Sequence, residues 1–479
     1  MKTKILVFLS LYYLVVTAQE ELKVGLALSG GGAKGMAHVG VLRALEENNV
    51  RIDYISGTSM GAVVGAMYAM GYTVDQIEIY LTQVDWDALM DNTLPRNHLG
   101  VLERENAEKY VLDFEVVDDK INAPDAFNKG QYMLKELSFL TFPAHGIKDF
   151  SQLQIPFLCM ATDLVTGAEK VLEEGELSEA LRASLAFPSM FSPFKINNKP
   201  YIDGGVRNNL PIAILKDEKG MDFVIASNVQ GRLYTEEELN SMIQILEQVS
   251  SYSNALGFKD QLKKVDLMIS PPEQRFDLTG YELSDTIIGL GYKEAMKHID
   301  ILDQLPKKKT EVLIVNDLRR MDPFLINDVE VVGNENTTSR YVRSKLKLKK
   351  PRVYTSKKLD EGLDRLYGSN YYEYLDFDLI KVDTAYKLIV NLKERKSDMT
   401  LRTGIHYDDD FGIGILLNVT LRNALVSNSR FTIDAVLSEN PRGKITYVFD
   451  RGYIPALGFQ FAFNRFGTRI YSNREAITS

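Results

Sequence analysis

Asp53-Tyr-Ile-Ser-Gly-Thr-Ser-Met-Gly-Ala-Val-Val-Gly-Ala-Met-Tyr-Ala-Met-Gly71 decides how this chain is read. An apolar, strand-like run turns through Gly57-Thr-Ser-Met-Gly61 into a helix of small residues. This G-x-S-x-G pattern is a nucleophile elbow: the tight turn strains the serine backbone, and its small flanks let Oγ of Ser59 project at a helix N-terminus. Ala62, Gly65, Ala66 and Ala69 follow at helical spacing, so the helix can lie close to a sheet. The pentapeptide alone also occurs in ordinary turns, and its meaning depends on its company.

Upstream, Leu22–Ser29 is a short apolar run with β character that ends in Gly30-Gly-Gly-Ala-Lys-Gly35. Ala37, Val41, Ala44 and Leu45 then recur at helical spacing. Two consecutive strand-turn-helix units imply a parallel sheet covered by helices. Downstream, 73–148 reads as mainly helix and loop, and Ile155–Asp163, Phe223–Asn228 and Asp266–Ser270 as further strands. Pro200-Tyr-Ile-Asp-Gly-Gly205 reads as a strand ending in a turn. Residues 22–305 form one α/β domain on this reading.

Past the linker 306–323, a β-α-α-β-β order fills 324–395. From 398 the period becomes two: Leu401, Thr403, Ile405 and Tyr407, then four more alternating runs ending with Leu457, Phe459, Phe461 and Phe463. Such strands suit a membrane β-barrel or an antiparallel sheet with one wet face, and periodicity fits both. Roughly five strands fit before Ser479, where a single-chain barrel needs at least about eight. The expectation is a sequence cut short at its C-terminus, which a native stop codon directly after Ser479 would contradict.

The chain has 479 residues and a net charge of −9, which becomes −11 without Lys2 and Lys4. So acidic a chain is not a general nucleic-acid binder. Lys2 and Lys4 precede the apolar run Ile5–Val16, and Val16-Thr-Ala18 supplies small residues for cleavage, so 1–18 reads as an export signal. Cys159 is the single cysteine; it lies in an apolar strand-like run and reads as a buried structural thiol.

Three pieces carry chemistry. Ser59 is the nucleophile candidate. The N–H groups of Gly30, Gly31, Gly32 and Gly35, with that of Met60, could stabilise an oxyanion. Asp203, at a strand end before Gly204 and Gly205, can reach Ser59 as base. The turn at Gly30 also fits a dinucleotide site with Asp53 as acidic partner, but Asp53 precedes its strand where a ribose ligand would follow one. None of His38, His98, His145, His298 and His406 has the context of a base, and His38 suits packing. Lys34 could meet phosphate but better fits solvent; Met190 and Phe191 fit an acyl groove or core equally.

Gly30-Gly-Gly-Ala-Lys-Gly35, Gly57-Thr-Ser-Met-Gly61, Ala183–Phe191 and Asp203-Gly-Gly205, in this order, resemble the patatin-like phospholipase family over about 24–217. The resemblance implies a three-layer α/β/α fold and a Ser59–Asp203 dyad that cleaves fatty-acyl esters of phospholipids, with no metal or organic cofactor. Val329-Glu-Val-Val-Gly-Asn334 and the order around it resemble a POTRA domain, and 398–479 the start of an Omp85-type outer-membrane barrel. Together they look like patatin-type autotransporters. The resemblance implies an exported protein at the outer membrane, cell surface or periplasm, with a lipid substrate and room for a homodimer. Two other readings stay open: a Ser-Asp-His hydrolase using His298, and a secretion or binding module with a silent passenger.

Overall fold

The computed structural model describes residues 21–479 except 93, 107–108, 273–275, 309–314, 316, 318, 320, 349–351, 409–411, 451, 454, 466–468, 473–474 and 479. Side chains of 101–102, 253–257, 352, 408, 469–472 and 475–478 are also outside the description. The export signal expected at 1–18 lies outside the described residues. The described residues form two compact units that interleave along the sequence: those within 21–84, 149–175 and 203–308 in one, and those within 85–148, 176–202 and 315–478 in the other.

In the first unit, five parallel strands run in the order Leu267–Ile269, Phe223–Ser227, Val24–Leu28, Tyr54–Thr58, Phe157–Asp163. Glu169–Leu172 is antiparallel beside the last. Val24, Leu26 and Leu28 alternate with Gly25 and Ala27, as a strand's period requires. Ala27 belongs to a cluster with Leu210, Leu215 and Met221, while Leu28 approaches Gly65 of the helix Met60–Met70. Helical segments therefore cover both faces. Every residue of Met60–Met70 is buried, so this helix is core rather than surface.

The second unit contains two sheets. The first has the order Arg352–Tyr354, Phe324–Val332, Ala385–Glu394, Tyr372–Val382, with helices Ser339–Lys345 and Ser356–Tyr367. The strand Arg352–Tyr354 is an addition to the β-α-α-β-β order read from the sequence; three residues are too few to show a period. Phe139 of the helix Gln131–Leu140 joins this core, edge-on to Phe377 at 4.8 Å.

The second sheet is an antiparallel meander of Met399–Asp408, Gly412–Arg422, Ser429–Leu437, Arg442–Phe449 and Leu457–Asn464. Leu112–Val117, with Lys120–Asn122 beyond it, pairs along Met399–Thr403. The sequence reading of 73–148 as helix and loop misses this pair, although Leu112, Phe114 and Val116 alternate with Asp113 and Glu115; the run is short and stands alone among helical segments. In the meander Ile405, Ile415, Ile433, Ile445 and Phe461 point outward and are exposed. Arg402, Asn418, Thr420, Arg430, Thr432 and Asp434 are buried. Among the described residues no helix is long and apolar enough to cross a membrane.

Candidate active site

Ser59 caps the helix Met60–Met70 with φ 53° and ψ −124°, a conformation that L-residues rarely adopt and that costs on the order of 1–3 kcal/mol. The strain persists because the surroundings leave no alternative. A Cβ on Gly61 would lie 2.4 Å from the Ser29 carbonyl oxygen, so only glycine lets the helix start so near the end of Val24–Leu28. Gly57 is the penultimate residue of its strand. The sharp turn places Oγ beside the carboxylate of Asp203, which ends the strand Lys199–Asp203.

Ser59 Oγ donates to Asp203 Oδ2 at 2.7 Å, and the Gly205 N–H donates to Oδ1 at 2.7 Å. Gly204 opens the same short 3-10 turn. Hydroxyls on neighbouring strands fix the segment after Asp203: Thr162 Oγ1 donates to the Asp203 carbonyl, Thr58 Oγ1 to that of Asn208 and Ser56 Oγ to that of Pro211, each at 3.0 Å. Asp203 is 4% exposed and Ser59 9%. Burial raises the Asp203 carboxyl to about 6, partly opposed by its bonds from Ser59 and Gly205. At neutral pH it is therefore ionised but more basic than an ordinary aspartate, which suits proton transfer.

The glycine turn lies alongside. The Gly30 N–H donates to the Asn209 carbonyl at 3.2 Å, and Asn209 Nδ2 returns a bond to the Gly30 carbonyl at 3.2 Å. Gly30 is thus a clamp point, and its amide is not available to an oxyanion. Gly31 and Gly32 N–H have no acceptor among the described residues, while Gly35 lies within the 3-10 turn Gly32–Met36. Gly32 has φ +55°, and a Cβ there would sit 2.4 Å from the Leu278 carbonyl oxygen. Met60 opens the elbow helix, where amide hydrogens are unsatisfied by the helix itself.

His38 is fully buried. Its Nε2 lies 2.8 Å from the Ser29 carbonyl and its Nδ1 2.8 Å from Ser227 Oγ. A carbonyl only accepts, so Nε2 carries the hydrogen and Nδ1 accepts from the serine hydroxyl. Burial lowers its pKa to about 4, leaving it neutral and holding the approach to the glycine turn. His298 makes no side-chain hydrogen bond among the described residues, and the carboxylate oxygens of Asp203 are engaged by Ser59 and Gly205. No Asp–His pair forms here.

Asp53 sits at the opposite strand end, accepting from the Val24 N–H at 2.8 Å and pairing with Arg51 at 3.0 Å. Lys34, expected in solvent, instead pairs with Glu247 at 2.7 Å. Cys159 is buried, which pushes its thiol well above the usual range. In the second unit Phe191 is buried beneath the Arg182 guanidinium at 5.3 Å, which makes it core; Met190 is half-buried. Asn209 and Ser29 escaped the sequence reading because an Asn-Asn pair after a turn and a serine at a strand end carry no distinctive spacing. A cavity of about 620 Å³ borders the turn, lined by Lys34, Val229, Gln230, Tyr234, Phe276 and Leu290 among others.

Residues 26–216 match the family model described as patatin-like phospholipase, 324–395 the POTRA model described as surface antigen variable number repeat, and 386–478 the OMP85 superfamily. The chain thus carries a patatin-like phospholipase domain, a POTRA domain and an Omp85-type segment in series. Over 212 residues it is 29% identical to a lysophospholipase NTE1 of Meyerozyma guilliermondii, covering 43% of this chain and 12% of that protein. It is 32% identical to an uncharacterized NTE family protein of Mycobacterium bovis, covering 44% of this chain and 49% of that protein. The chain therefore spans between 12% and 49% of the length of these relatives. Among solved structures, VipD from Legionella pneumophila is 15% identical with a TM-score of 0.31, over 59% of this chain and 67% of that one.

Proposed function

We propose that this protein is a serine acyl hydrolase that cleaves fatty-acyl esters of membrane lipids with a Ser59–Asp203 dyad. The observation that carries the reading is the 2.7 Å hydrogen bond from a strained, elbow-borne Ser59 to a buried carboxylate. Asp203 accepts the Ser59 proton as Oγ bonds to the ester carbonyl carbon, and the developing oxyanion is held by the N–H groups of Gly31, Gly32 and Met60. Collapse breaks the bond to the alcohol, which leaves with that proton. Water then attacks the acyl-serine, Asp203 takes its proton, and the fatty acid departs as Ser59 is restored.

The hydrolase domain occupies 22–305 and the POTRA-like domain 324–395, with the strands from 398 seated in an outer membrane. The exposed apolar face of those strands supports this placement, since a lipid-facing barrel wall has that polarity. An export signal at 1–18 and assembly as a homodimer complete the proposal. A fluorogenic-ester assay on the full chain tests the chemistry: turnover in the wild type and its loss in Ser59→Ala and Asp203→Asn are expected, and persistent turnover in Ser59→Ala would refute the dyad. Fractionation of expressing cells, with the protein recovered outside the outer-membrane fraction, would refute the tether.

A further inference from the structure

In an ordinary surface helix the apolar stripe faces the core and the polar stripe faces water. The helix Met242–Leu262 is reversed over its first three turns. Met242, Ile245, Val249 and Tyr252, at helical spacing, are 54%, 49%, 56% and 51% exposed. The polar side chains between them hold the helix to its unit. Glu247 pairs with Lys34 at 2.7 Å and accepts from Tyr234 Oη at 2.6 Å. The Gln248 side chain bonds both the N–H and the carbonyl of Tyr234. Its polar face is thus bound to the protein and its apolar face turned outward.

The helix follows the strand Phe223–Ser227, so it hangs from the carboxyl edge of the parallel sheet. Ser59 and the glycine turn follow strands parallel to it and lie at the same edge. A second, separate loop at that edge, after Phe157–Asp163, exposes Leu164 and Val165, the latter at 79%. Gln244 and Glu247 of the helix also line the cavity beside the glycine turn.

We infer that this edge is a lipid-docking surface, with the outer face of the helix from Met242 to Tyr252 and the loop at Leu164–Val165 entering the surface of a phospholipid bilayer. The inference rests on the reading of Ser59 as a lipid-ester nucleophile, which explains why apolar side chains from two unconnected segments are exposed at the sheet edge that carries Ser59. Amphipathic helices bind bilayers by burying such a face at the headgroup boundary. Since the chain is acidic, the attraction comes from apolar insertion, and binding should depend little on salt.

Cys159 is buried and is the only cysteine, so a probe can be placed selectively. The full chain carrying Ser59→Ala and Val249→Cys, held in amphipol and labelled with an environment-sensitive fluorophore, is mixed with phosphatidylcholine–phosphatidylethanolamine vesicles. A blue shift insensitive to salt is expected, and absent from the same chain labelled through Ile79→Cys on another helix. No shift at position 249 would overturn the inference. A shift that grows with protein concentration without vesicles would assign the face to a second copy and also overturn it.

In otherwise wild-type chain, Ile245→Asp/Val249→Asp and, independently, Leu164→Asp/Val165→Asp should each lower vesicle-lipid turnover at least tenfold. Turnover of a water-soluble butyrate ester should stay within twofold. Equal loss on both substrates in both variants would show a merely structural role. Persistence of the vesicle-induced shift at position 249, together with no ester turnover in the wild-type chain, would refute the hydrolase reading alone.

Discussion

The sheet that carries Ser59 and the meander from Met399 to Asn464 are built from similar alternating strands with opposite solvents. Around Ser59, Leu26, Leu28 and Ile55 point inward and are fully buried. In the meander Ile405, Ile433 and Phe461 point outward, while Arg402, Asn418 and Asp434 are buried. Alternation thus tells which residues share a face, but not which face meets water. That is decided by what the interior contains. In the first unit the interior polar groups are few and devoted to holding Asp203 and the glycine turn. In the second they are numerous and charged, with Glu103 between Arg430 at 2.6 Å and Arg402 at 3.4 Å.

The contrast is broken most sharply by chemistry, which on the proposed Ser59–Asp203 dyad falls on one oxygen atom of the first unit. Ser59→Ala should lower kcat/KM for ester hydrolysis about 10⁴-fold or more, as removal of a nucleophile does elsewhere. The urea midpoint should barely change, because the strained backbone at 59 is imposed by its neighbours. In the second unit charge compensation is the sensitive feature. Glu103→Ala leaves the Arg402 and Arg430 guanidiniums buried without their shared carboxylate, which should cost about 3–5 kcal/mol. Trp86, the only tryptophan, lies in that unit, so its fluorescence in urea reads the loss. The urea midpoint for maleimide labelling of Cys159, in the first unit, should stay put.

Legibility differed between the regions for physical reasons. The elbow, the glycine turn and Asp203 were readable because each needs unusual residues at fixed spacing: glycine where Gly61 meets a carbonyl oxygen, serine at a φ of 53°. The β-α-α-β-β order and the five meander strands were readable from period alone. The interleaving was not: nothing local in 112–117 says that it pairs with Met399–Thr403, the nearest partners, Val116 and Met399, lying 283 residues apart in sequence, because pairing partners are chosen by packing. Nor was the Gly30 clamp, since which amide Asn209 engages depends on how closely two loops approach.

A finer test compares the same carboxylate in chemistry and in stability. Asp203→Asn should abolish turnover and yet stabilise the first unit. The rise from 3.8 to about 6 means that ionising Asp203 in the folded state is unfavourable. At ~1.4 kcal/mol per pH unit, that amounts to about 3 kcal/mol. Stability from this group is fully present below pH 3.8 and lost as pH rises through 6, so the gain in Asp203→Asn should appear above pH 6 and vanish below 3.8. Cys159 labelling in urea measures it. Wild-type kcat/KM should fall on the acid side of about pH 6, where the base is protonated.

The smallest expected effect is a cancellation between two buried groups of that unit. His38 has its pKa lowered from 6.5 to about 4 by burial, so the unfolded chain binds the proton first and stability from this group rises with pH across that window. Asp203 titrates through 3.8 to about 6 with the opposite sign. The two contributions are of similar total size, about 3 kcal/mol each, and of opposite slope, so between pH 4 and 6 their sum should vary by only about 1 kcal/mol. Removing either partner should expose the other. Asp203→Asn should give a stability that climbs with pH, and His38→Gln one that declines, each read by Cys159 labelling. A steep wild-type profile unchanged by both variants would mean that burial around Ser59 does not govern these two groups, and would erase the electrostatic difference between the interior around Ser59 and that of the meander.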